Sequence, residues 1–382
     1  MKKIFLSILA ISAVMVSCSK SEVITAPGAD SPIEFNPYTG KTPVTRATAA
    51  DTDTLKKYGF QTYAFIHAPN GANWAGDPYL NKVVTKPADS DTWVYDGNAY
   101  WPVTNQLDFV AYGLNAQNEA KTNITEDATH TVITYKVPAV VADQKDLLVA
   151  DPQKNQAHEG SSKKVTLQFN HMLSRIAFTL VTKNSNPTPV TITKLQLKGK
   201  FFTEGQVDLK AEVPAITQGV QSETDVVYDL LPDGSFTSLA NADGVQIFNN
   251  SPLYELTGVK GTNNDDFTEA EYSAKTFASE EEKAAADALV AANELNSYMM
   301  IIPTKGEEGS LAPATVDITY FLPGAGYYDI TVPLSVEGEP IAFEARKAYN
   351  FKFKVSTNGI SFSVNIDGWE ENSDDSQEFE LS

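Results

Sequence analysis

The feature that most constrains the fold is a period-2 alternation of apolar and polar residues, which recurs along the chain after residue 53. Runs rich in β-branched and aromatic residues are separated by Gly, Pro, Asn and Asp, as in YGFQTYAFIH and LDFVAYGL. Many short strands spaced about 8–12 residues apart favour an all-β fold of sandwiches over α/β units. The predicted strands cover residues 58–67, 92–95, 107–114, 131–137, 165–169, 175–182, 190–197, 297–302, 314–321, 327–332, 348–356 and 360–366.

One segment departs from this pattern and predicts a helix. Ser279 and Glu282 have the spacing of a capping box, and an Ala-rich run follows as far as Leu295. A single helix among a dozen strands indicates an insertion in a loop. We therefore predict a helical insertion at about residues 204–297, with a solvent-facing decoration as the preferred interpretation of the helix.

The length of 382 residues predicts more than one hydrophobic core. A polar stretch with Pro, Gly and Ser at residues 151–164 separates two strand-rich regions and is typical of a domain boundary. We therefore predict an N-terminal β-sandwich at residues 47–163 and a C-terminal β-sandwich at residues 164–382, the latter enlarged by the insertion.

The charge balance argues against a nucleic-acid partner. The chain has 49 acidic and 29 basic residues, a net charge of −20. Proteins that bind phosphate backbones need clustered Lys and Arg, but the three arginines, Arg46, Arg175 and Arg346, are far apart in sequence.

No motif predicts a catalytic, cofactor or metal site. The single cysteine and four scattered histidines do not form a zinc pattern, and phosphate-binding, nucleophile-elbow and EF-hand motifs are missing from the sequence. A glycosidase needs only two carboxylates, yet nothing selects a pair among so many acids. The seven acids of residues 367–380 favour a solvated tail over a calcium site, because their spacing does not fit the EF-hand loop.

The N-terminus predicts export. Lys2 and Lys3 precede an apolar run at residues 4–16 that is too short to span a bilayer, so residues 1–17 are interpreted as a signal peptide. Met15-Val16-Ser17-Cys18 resembles a bacterial lipobox, in which the cysteine is lipidated after cleavage. The alternative is an ordinary signal peptide that happens to contain Cys18. A lipid anchor would hold the precursor at the membrane.

The segment that follows has the composition of an extended leader, with Pro27, Pro32, Pro37 and Pro43 excluding a helix. Within it, Ile33-Glu34-Phe35 alternates like a strand with one buried face. Arg46 lies among small residues, where a protease could bind the chain in extended form. The alternative for Arg46 is a solvated linker charge.

A loop around Trp74 is a candidate ligand site. Residues 70–78 have the composition of a turn-rich loop, and an exposed tryptophan there could stack on a sugar. Core packing is the commoner role of tryptophan in a sandwich, and it is the preferred interpretation of Trp93, Trp101 and Trp369.

Three stretches of the sequence are informative when taken together: Tyr100-Trp101-Pro102 leading into NQLDFVAY (residues 105–112), FNHMLSRIAF (residues 169–178), and AYNFKF (residues 348–353) followed by Ile366-Asp367-Gly368-Trp369. In this order and spacing they resemble the fimbrillin family of Bacteroidales, the subunits of type V pili. The positions of Cys18 and Arg46 also resemble those of the lipidated cysteine and the cleaved arginine in this family. The resemblance covers essentially the whole chain, and residues 204–297 match least well.

The resemblance implies two transthyretin-like β-sandwiches and a maturation pathway. It implies that Cys18 is lipidated and that an Arg-specific protease cuts between Arg46 and Ala47, which removes residues 18–46 as the leader. A strand containing Ile33 and Phe35 would leave, and a strand from the next subunit would fill its groove. The donor in shaft subunits is C-terminal, here the tail with Phe379 and Leu381; the alternative is a frayed tail.

The leading functional hypothesis is a non-enzymatic subunit of a cell-surface fimbria. It predicts other fimbrillin subunits as partners, and an outer-membrane lipoprotein precursor that ends at the cell surface. The rival hypothesis is a tip or stand-alone lipoprotein adhesin that binds a glycan or a host protein.

Overall fold

The computed structural model describes residues 31–39, 52–74, 76–115, 123–158, 164–182, 190–219, 221–231, 236–238, 245–246, 254–261, 268–274, 279–280, 299–304, 313–322, 324–356, 359–368 and 377–380. Strands dominate these residues, so the all-β prediction is confirmed. One short helix, α1 (Thr52–Tyr58), and a 3-10 turn (Val141–Asp143) interrupt them. No helix in the described part of the chain is both long and apolar enough to cross a bilayer.

The strands follow one another closely along the chain. The first thirteen are β1 (Glu34–Thr39), β2 (Phe60–His67), β3 (Leu80–Val84), β4 (Gln106–Gly113), β5 (Ile124–Glu126), β6 (Val132–Lys136), β7 (Leu148–Ala150), β8 (Gln153–Gln156), β9 (Lys164–His171), β10 (Ser174–Thr182), β11 (Val190–Gly199), β12 (Glu204–Asp208) and β13 (Ile216–Gln218). The remainder are β14 (Val226–Asp229), β15 (Phe236–Ser238), β16 (Val245–Gln246), β17 (Tyr254–Gly261), β18 (Thr268–Ala274), β19 (Met299–Ile301), β20 (Thr315–Leu322), β21 (Gly326–Pro333), β22 (Ser335–Val336), β23 (Glu339–Pro340), β24 (Lys347–Ser356), β25 (Gly359–Gly368) and β26 (Gln377–Glu380).

Four larger sheets organise the described strands. The first sheet has the order β1-β9-β7-β4-β2-β3, with β8 also on β4, and the second has the order β13-β12-β6-β5. The third has the order β14-β11-β20-β21, with β15 on β11, and the fourth has the order β16-β10-β24-β25-β26, with β19 on β10. The pairs β17-β18 and β22-β23 form two small hairpin sheets.

The central strands of the first sheet are buried on both faces. Along β4, Leu107 and Phe109 face a smaller hydrophobic core, whereas Val110 and Tyr112 face a larger one. Successive side chains of a strand point to opposite faces. Because both faces of β4 are covered by a hydrophobic core, nearly every residue of the strand is apolar. This explains why the LDFVAYGL segment is so rich in apolar residues.

The larger core continues across the predicted domain boundary. It joins Tyr112 and Tyr135 from the first half of the chain to Phe178, Leu197 and Phe351 from the second. The boundary predicted at residue 163 falls just before β9, and β9 pairs with β7 and β1 in the first sheet. The first sheet therefore extends to His171, and the division into two sandwiches at residue 163 stays a prediction.

One predicted strand differs from the structure. Residues 92–95 do not form a strand: only Val94 makes an isolated bridge, with Thr85. The predicted insertion at about residues 204–297 contributes to the larger sheets, because β12 pairs with β6, β14 and β15 pair with β11, and β16 pairs with β10. These described strands therefore belong to the larger sheets, whereas the bounds of the insertion and the solvent-facing placement of its helix stay predictions. Apart from Ser279 and Glu280, the predicted helix lies outside the described residues.

A buried glutamine ties the two halves of the chain together. Gln144, only 1% exposed, accepts a hydrogen bond at Oε1 from the Met300 backbone N–H at 2.7 Å. Its Nε2 donates to the Pro138 carbonyl at 3.0 Å. Gln144→Leu keeps the volume but removes both partners, and each buried backbone group left unpaired costs about 1–3 kcal/mol.

We therefore expect Gln144→Leu to lower the free energy of unfolding in urea denaturation. Gln206 is the matched control, because its side chain is exposed and its Nε2 donates only to the Thr134 hydroxyl, at 3.3 Å. Gln206→Leu should change stability by less than about 0.5 kcal/mol. Equal effects of the two substitutions would contradict a joining role for Gln144.

Candidate functional site

The predicted leader segment folds into the first sheet as an edge strand. We call residues 31–39 the leader strand, which contains β1. Side chains alternate strictly between exposed and buried along β1, so that Ile33 (1% exposed) and Phe35 (3% exposed) point into the smaller core with Pro37. Ile33 directly precedes β1, and Ile33, Glu34 and Phe35 have the alternating burial of a strand with one buried face; the departure of this strand on maturation stays a prediction.

The leader strand is hydrogen-bonded on two sides. On one side β1 runs parallel to β9, with Glu34 opposite Lys164 and Phe35 opposite Val165. On the other side its beginning meets a loop that we call the flap, residues 93–101. The flap contacts are Ile33 N–H to the Ala99 carbonyl at 2.9 Å, Trp101 N–H to the Ser31 carbonyl at 3.1 Å, and Tyr95 hydroxyl to the Ile33 carbonyl at 2.8 Å.

Phe35 occupies an aromatic box. Its ring lies edge-on to Phe60, Tyr95 and Phe109, with centroid distances of 5.8, 5.9 and 6.1 Å. Edge-to-face pairs of this kind add about 0.5–1.5 kcal/mol each to the gain from burying the ring. Trp93 of the flap extends the box by packing on Phe60 at 5.5 Å. The box makes Phe35 the main anchor of the leader strand.

Polar contacts between the exposed side chains of β1 and β9 affect the register of the two strands more than their stability. Lys164 Nζ lies 3.4 Å from Glu34 Oε2, and the Tyr38 hydroxyl donates to Gln168 Oε1 at 2.9 Å. Exposed ion pairs of this type contribute roughly 0–1 kcal/mol. Their placement on alternate residues of β1 and β9 favours the observed register over a register shifted by one residue.

The leader groove is the surface that these contacts define: the β9 edge, the flap and the aromatic box. Full burial of a side chain such as Ile33 or Phe35 stabilises by about 1.5–3 kcal/mol relative to exposure. Without the leader strand, the β9 edge would present unpaired N–H and C=O groups beside an open apolar slot. Such a surface can bind another strand.

The C-terminal tail also lies at a sheet edge. β26 pairs antiparallel with β25 within the same chain, with Phe379 opposite Val364 and Gln377 opposite Ile366. Only four residues form this pairing. The tail is thus a short edge strand of the fourth sheet.

The other predicted site residues divide into two groups. Cys18, Arg46, Ala47 and Leu381 lie outside the described residues. Trp74 is described, and its backbone has a positive φ of 61°. Its half-buried ring packs edge-on against Phe65 with a centroid distance of 5.8 Å, as an extension of the larger core. Core packing, the alternative weighed from the sequence, therefore accounts for much of the Trp74 ring.

A cluster centred on Glu126 was not predicted from the sequence. The hydroxyls of Tyr63 and Tyr112 both donate to Glu126 Oε1, the former at 2.6 Å, and His130 Nδ1 lies 3.0 Å from Oε2. The His130 ring also stacks on Tyr63 at 4.6 Å. Burial, together with the hydrogen bond to Glu126, raises the pKa of both tyrosines well above the usual 10.0. Because Glu126 lies on the second sheet and the tyrosines on the first, the cluster fastens the two sheets.

Two buried histidine–aspartate pairs join separate segments of the fold. His67 Nε2 lies 3.2 Å from Asp108 Oδ1, and His171 Nδ1 lies 2.6 Å from Asp146 Oδ2. Asp108 also accepts the Asn155 backbone N–H at 2.7 Å, which ties β4 to the β8 segment. Within the described residues, no group of three or more His, Cys, Asp or Glu side chains could hold a metal ion.

The chain is similar to one protein family and to several solved structures. A family model described as fimbrillin-like matches residues 45–238. A fimbrial protein from Bacteroides vulgatus is 17% identical over 88% of this chain and 99% of its own, with a TM-score of 0.56. No curated protein sequence matches the chain.

Two further solved structures have lower similarity. A candidate cell adhesion protein from Bacteroides uniformis is 17% identical, with a TM-score of 0.47, over 88% of this chain and 99% of its own. A fimbrial assembly protein from Parabacteroides distasonis is 12% identical, with a TM-score of 0.42, over 91% of this chain and 97% of its own. The Bacteroides vulgatus structure supports a shared fold.

Proposed function

Because the chain belongs to the fimbrillin-like family, we propose that it is a structural subunit of a cell-surface fimbria and has no catalytic site. The buried leader strand is the observation that carries this proposal. It fills a groove of its own sheet, and only residues 40–45 separate Thr39, the last residue of β1, from Arg46. A cut there would free the strand without dividing the rest of the fold.

Export and anchoring precede assembly in this proposal. Residues 1–17 are the signal peptide, and Cys18 carries lipid that holds the precursor at the outer membrane. An Arg-specific protease then cuts between Arg46 and Ala47, and the fragment of residues 18–46 leaves with its lipid. The mature subunit starts at Ala47 and is released to the cell surface and the fimbrium.

Loss of the leader strand drives association. The vacated β9 edge has unpaired backbone groups, and the pockets of Ile33 and Phe35 are open to water. A strand from another fimbrillin subunit restores the backbone ladder and fills the pockets, which is β-strand addition. The C-terminal tail, with Phe379 and Leu381, is the proposed donor, and it must first leave β25.

A tip or stand-alone lipoprotein adhesin is the second candidate function. The pairing of β26 with β25 favours it, because a tail retained within its own chain cannot donate a strand. Such a subunit would be cut at Arg46 and accept a donor, or keep its leader. It would bind a glycan or host protein, with the Trp74 loop as one candidate surface.

Limited proteolysis tests the proposal. The chain has three arginines: Arg46, Arg175, which lies within β10, and Arg346, whose backbone N–H donates to the Leu173 carbonyl at 3.1 Å. We expect a chain expressed from Ser19 to be cut once, after Arg46, as measured by intact mass. Unheated denaturing gels should then show a ladder of multimers. Arg46→Lys, which keeps the charge but removes the protease site, should abolish both.

The outcomes separate the candidates. A single cut followed by multimers supports a polymerising subunit. A single cut without multimers supports a tip subunit whose tail does not donate. Folded protein that resists cleavage at Arg46 contradicts the maturation step and supports a stand-alone surface lipoprotein.

A further inference from the structure

Among the described edge strands of the four larger sheets, β21 is the longest. The third sheet ends at this strand, because β20 is the only described strand that pairs with Gly326–Pro333. Tyr328 is 40% exposed, and Asp329 and Thr331 are exposed as well. An edge strand directs a row of backbone N–H and C=O groups away from its sheet, and these groups can pair with a strand of another molecule.

The usual protections of a sheet edge are weak in β21. Its pairing with β20 is continuous from residue 326 to residue 333, without a bulge that would twist the edge away. The sequence GYYDITVP has one charged residue, Asp329, and its proline is at the last position. Tyr, Ile, Thr and Val all favour strands. The edge of β21 therefore has the composition and the regular pairing that a further strand requires.

The central side chains of β21 are already held by its own sheet. The Thr319 hydroxyl of β20 donates to Asp329 Oδ1 at 2.5 Å, and the Thr331 hydroxyl donates to Asp317 Oδ1 at 2.8 Å. Between them, Ile330 packs against the larger core. A strand held in this way loses little conformational freedom when it pairs with a partner, which favours association.

We propose that β21 pairs antiparallel with β21 of a second copy of this chain, about a two-fold axis at Ile330. A two-fold contact uses the same surface on both copies, and two identical edge strands related by such an axis run antiparallel. The third sheet then continues from one copy into the other. This contact lies outside the leader groove and does not require the cut at Arg46.

The pleat and the charge of β21 select the register. Residues opposite each other on paired strands lie on the same face, so the two-fold axis passes through a residue and not between two. An axis at Asp329 would place two carboxylates opposite each other, which is unfavourable. An axis at Thr331 would pair only residues 329–333 of β21. An axis at Ile330 pairs residues 327–333 and avoids the clash of charges.

The pairs across the proposed seam are compatible. Tyr328 lies opposite Val332 of the second copy, and an aromatic residue opposite a β-branched residue stabilises a sheet. Asp329 lies opposite Thr331 of the second copy, so that neither carboxylate faces another. Each copy has a net charge of −20, but charges more than about 8 Å apart are largely screened at physiological ionic strength. The charges close to the seam therefore matter most.

The small size of the contact limits where it acts. Residues 327–333 are far fewer than the roughly 20–30 residues a side of a stable protein–protein interface, so single copies associate weakly. In a fimbria, which is taken here from the proposed function, many subunits present the same edge. Simultaneous contacts then raise the overall affinity by about two to four orders of magnitude. The β21 edge would join fimbriae side by side.

Cysteines at exposed positions of the seam test the contact and its register. A chain expressed from Ser19 lacks Cys18, the single cysteine, and Arg46→Lys prevents cleavage by an Arg-specific protease. We expect a mixture of Asp329→Cys chains and tagged Thr331→Cys chains to form a disulfide-linked mixed dimer under mild oxidation. Opposite positions on paired strands fall within the range of about 4.4–6.8 Å between Cα atoms that a disulfide spans.

Each single-cysteine chain alone is the matched control. In the proposed register, position 329 of one copy is offset from position 329 of the other by two residues, about 6.6 Å along the strand, and the same holds for position 331. We therefore expect roughly tenfold less dimer from either chain alone than from the mixture, on non-reducing gels. Gln206→Cys, at an exposed position of β12, measures random collisions.

Charge at position 331 tests the contact without a covalent bond. Thr331→Lys places a lysine opposite Asp329 of the second copy, twice in each dimer, and should lower the dissociation constant measured by sedimentation equilibrium. Thr331→Asp should raise it. Cross-strand pairs of this kind predict a change of roughly two- to thirtyfold in each direction. Gln206→Lys controls for net charge and should change the constant by less than about twofold, because its charge is screened from the seam.

The outcomes decide both the contact and the register. Mixed 329–331 dimers, with little dimer of either chain alone, support pairing about Ile330. Dimers formed mainly by the Asp329→Cys chain alone, or by the Thr331→Cys chain alone, place the axis at that residue and overturn the register. Cross-linking no greater than that of Gln206→Cys overturns the contact. Because all of these chains are uncut, none of these results alters the test of the proposed function at Arg46.

Discussion

Phe35→Ala should lower the free energy of unfolding of the uncut chain by about 3–5 kcal/mol, the usual cost of replacing a buried Phe by Ala. The ring is 3% exposed and makes three edge-on aromatic contacts, so its loss leaves a cavity that the surrounding rings cannot easily fill. Thermal and urea denaturation of the precursor measure this effect.

The same substitution should also loosen the leader after cleavage. A loss of about 3–5 kcal/mol corresponds to roughly two to nearly four orders of magnitude in the equilibrium constant for leader retention. Size exclusion with mass analysis would show how much of the cut leader stays bound. Asn36→Ala is the control, because Asn36 is the exposed neighbour on the same strand and should change neither quantity. An equal effect of both substitutions would contradict the anchoring role of Phe35.

The second large effect is alkaline unfolding. Among the described residues, five tyrosines are 2% exposed or less: Tyr63, Tyr112, Tyr135, Tyr228 and Tyr349. Burial is the main reason why the pKa of each is raised well above its usual 10.0. In the unfolded chain each ionises near pH 10, whereas in the folded chain it stays neutral. Their contribution to stability is therefore complete below pH 10 and is lost as the pH rises above it.

The free energy of unfolding is expected to fall steeply with pH above pH 10. Each tyrosine that ionises only in the unfolded chain lowers stability by about 1.4 kcal/mol per pH unit, so five lower it by about 7 kcal/mol per pH unit. We expect the part of the tyrosinate absorbance that comes from these five residues to appear in one cooperative step, together with loss of the β-sheet circular dichroism signal. Ionisation of all 16 tyrosines in a chain that stays folded would contradict this.

Tyr228→Phe provides the control for the alkaline experiment. The Tyr228 hydroxyl is buried without a hydrogen-bond partner, so its removal costs little at neutral pH. The slope above pH 10 should fall by about one fifth, since one of five groups is removed. Tyr112→Phe should reduce the slope similarly but also destabilise at neutral pH, because Tyr112 donates a hydrogen bond to Glu126.

The failed strand prediction at residues 92–95 has a specific cause. Trp93, Val94 and Tyr95 are aromatic or β-branched and so have the composition of a strand, but the rings of Trp93 and Tyr95 cover the leader groove. Trp93 packs on Phe60, and Tyr95 contacts Phe35 and the Ile33 carbonyl. A run of such residues indicates buried side chains, and a loop that covers a core can have the same composition.

The sequence by itself determined the all-β class, most of the strands and the buried face of the leader strand, because the period of side-chain burial is a local property of the chain. It also indicated Phe35 as a buried residue. The tertiary structure alone decided that β1 pairs with β9, that the flap closes over it, and that strands of the predicted insertion complete other sheets. Strand pairing joins residues more than a hundred positions apart, such as Tyr38 and Gln168. Backbone groups are the same at every position, so the local pattern cannot specify which edge a strand will meet.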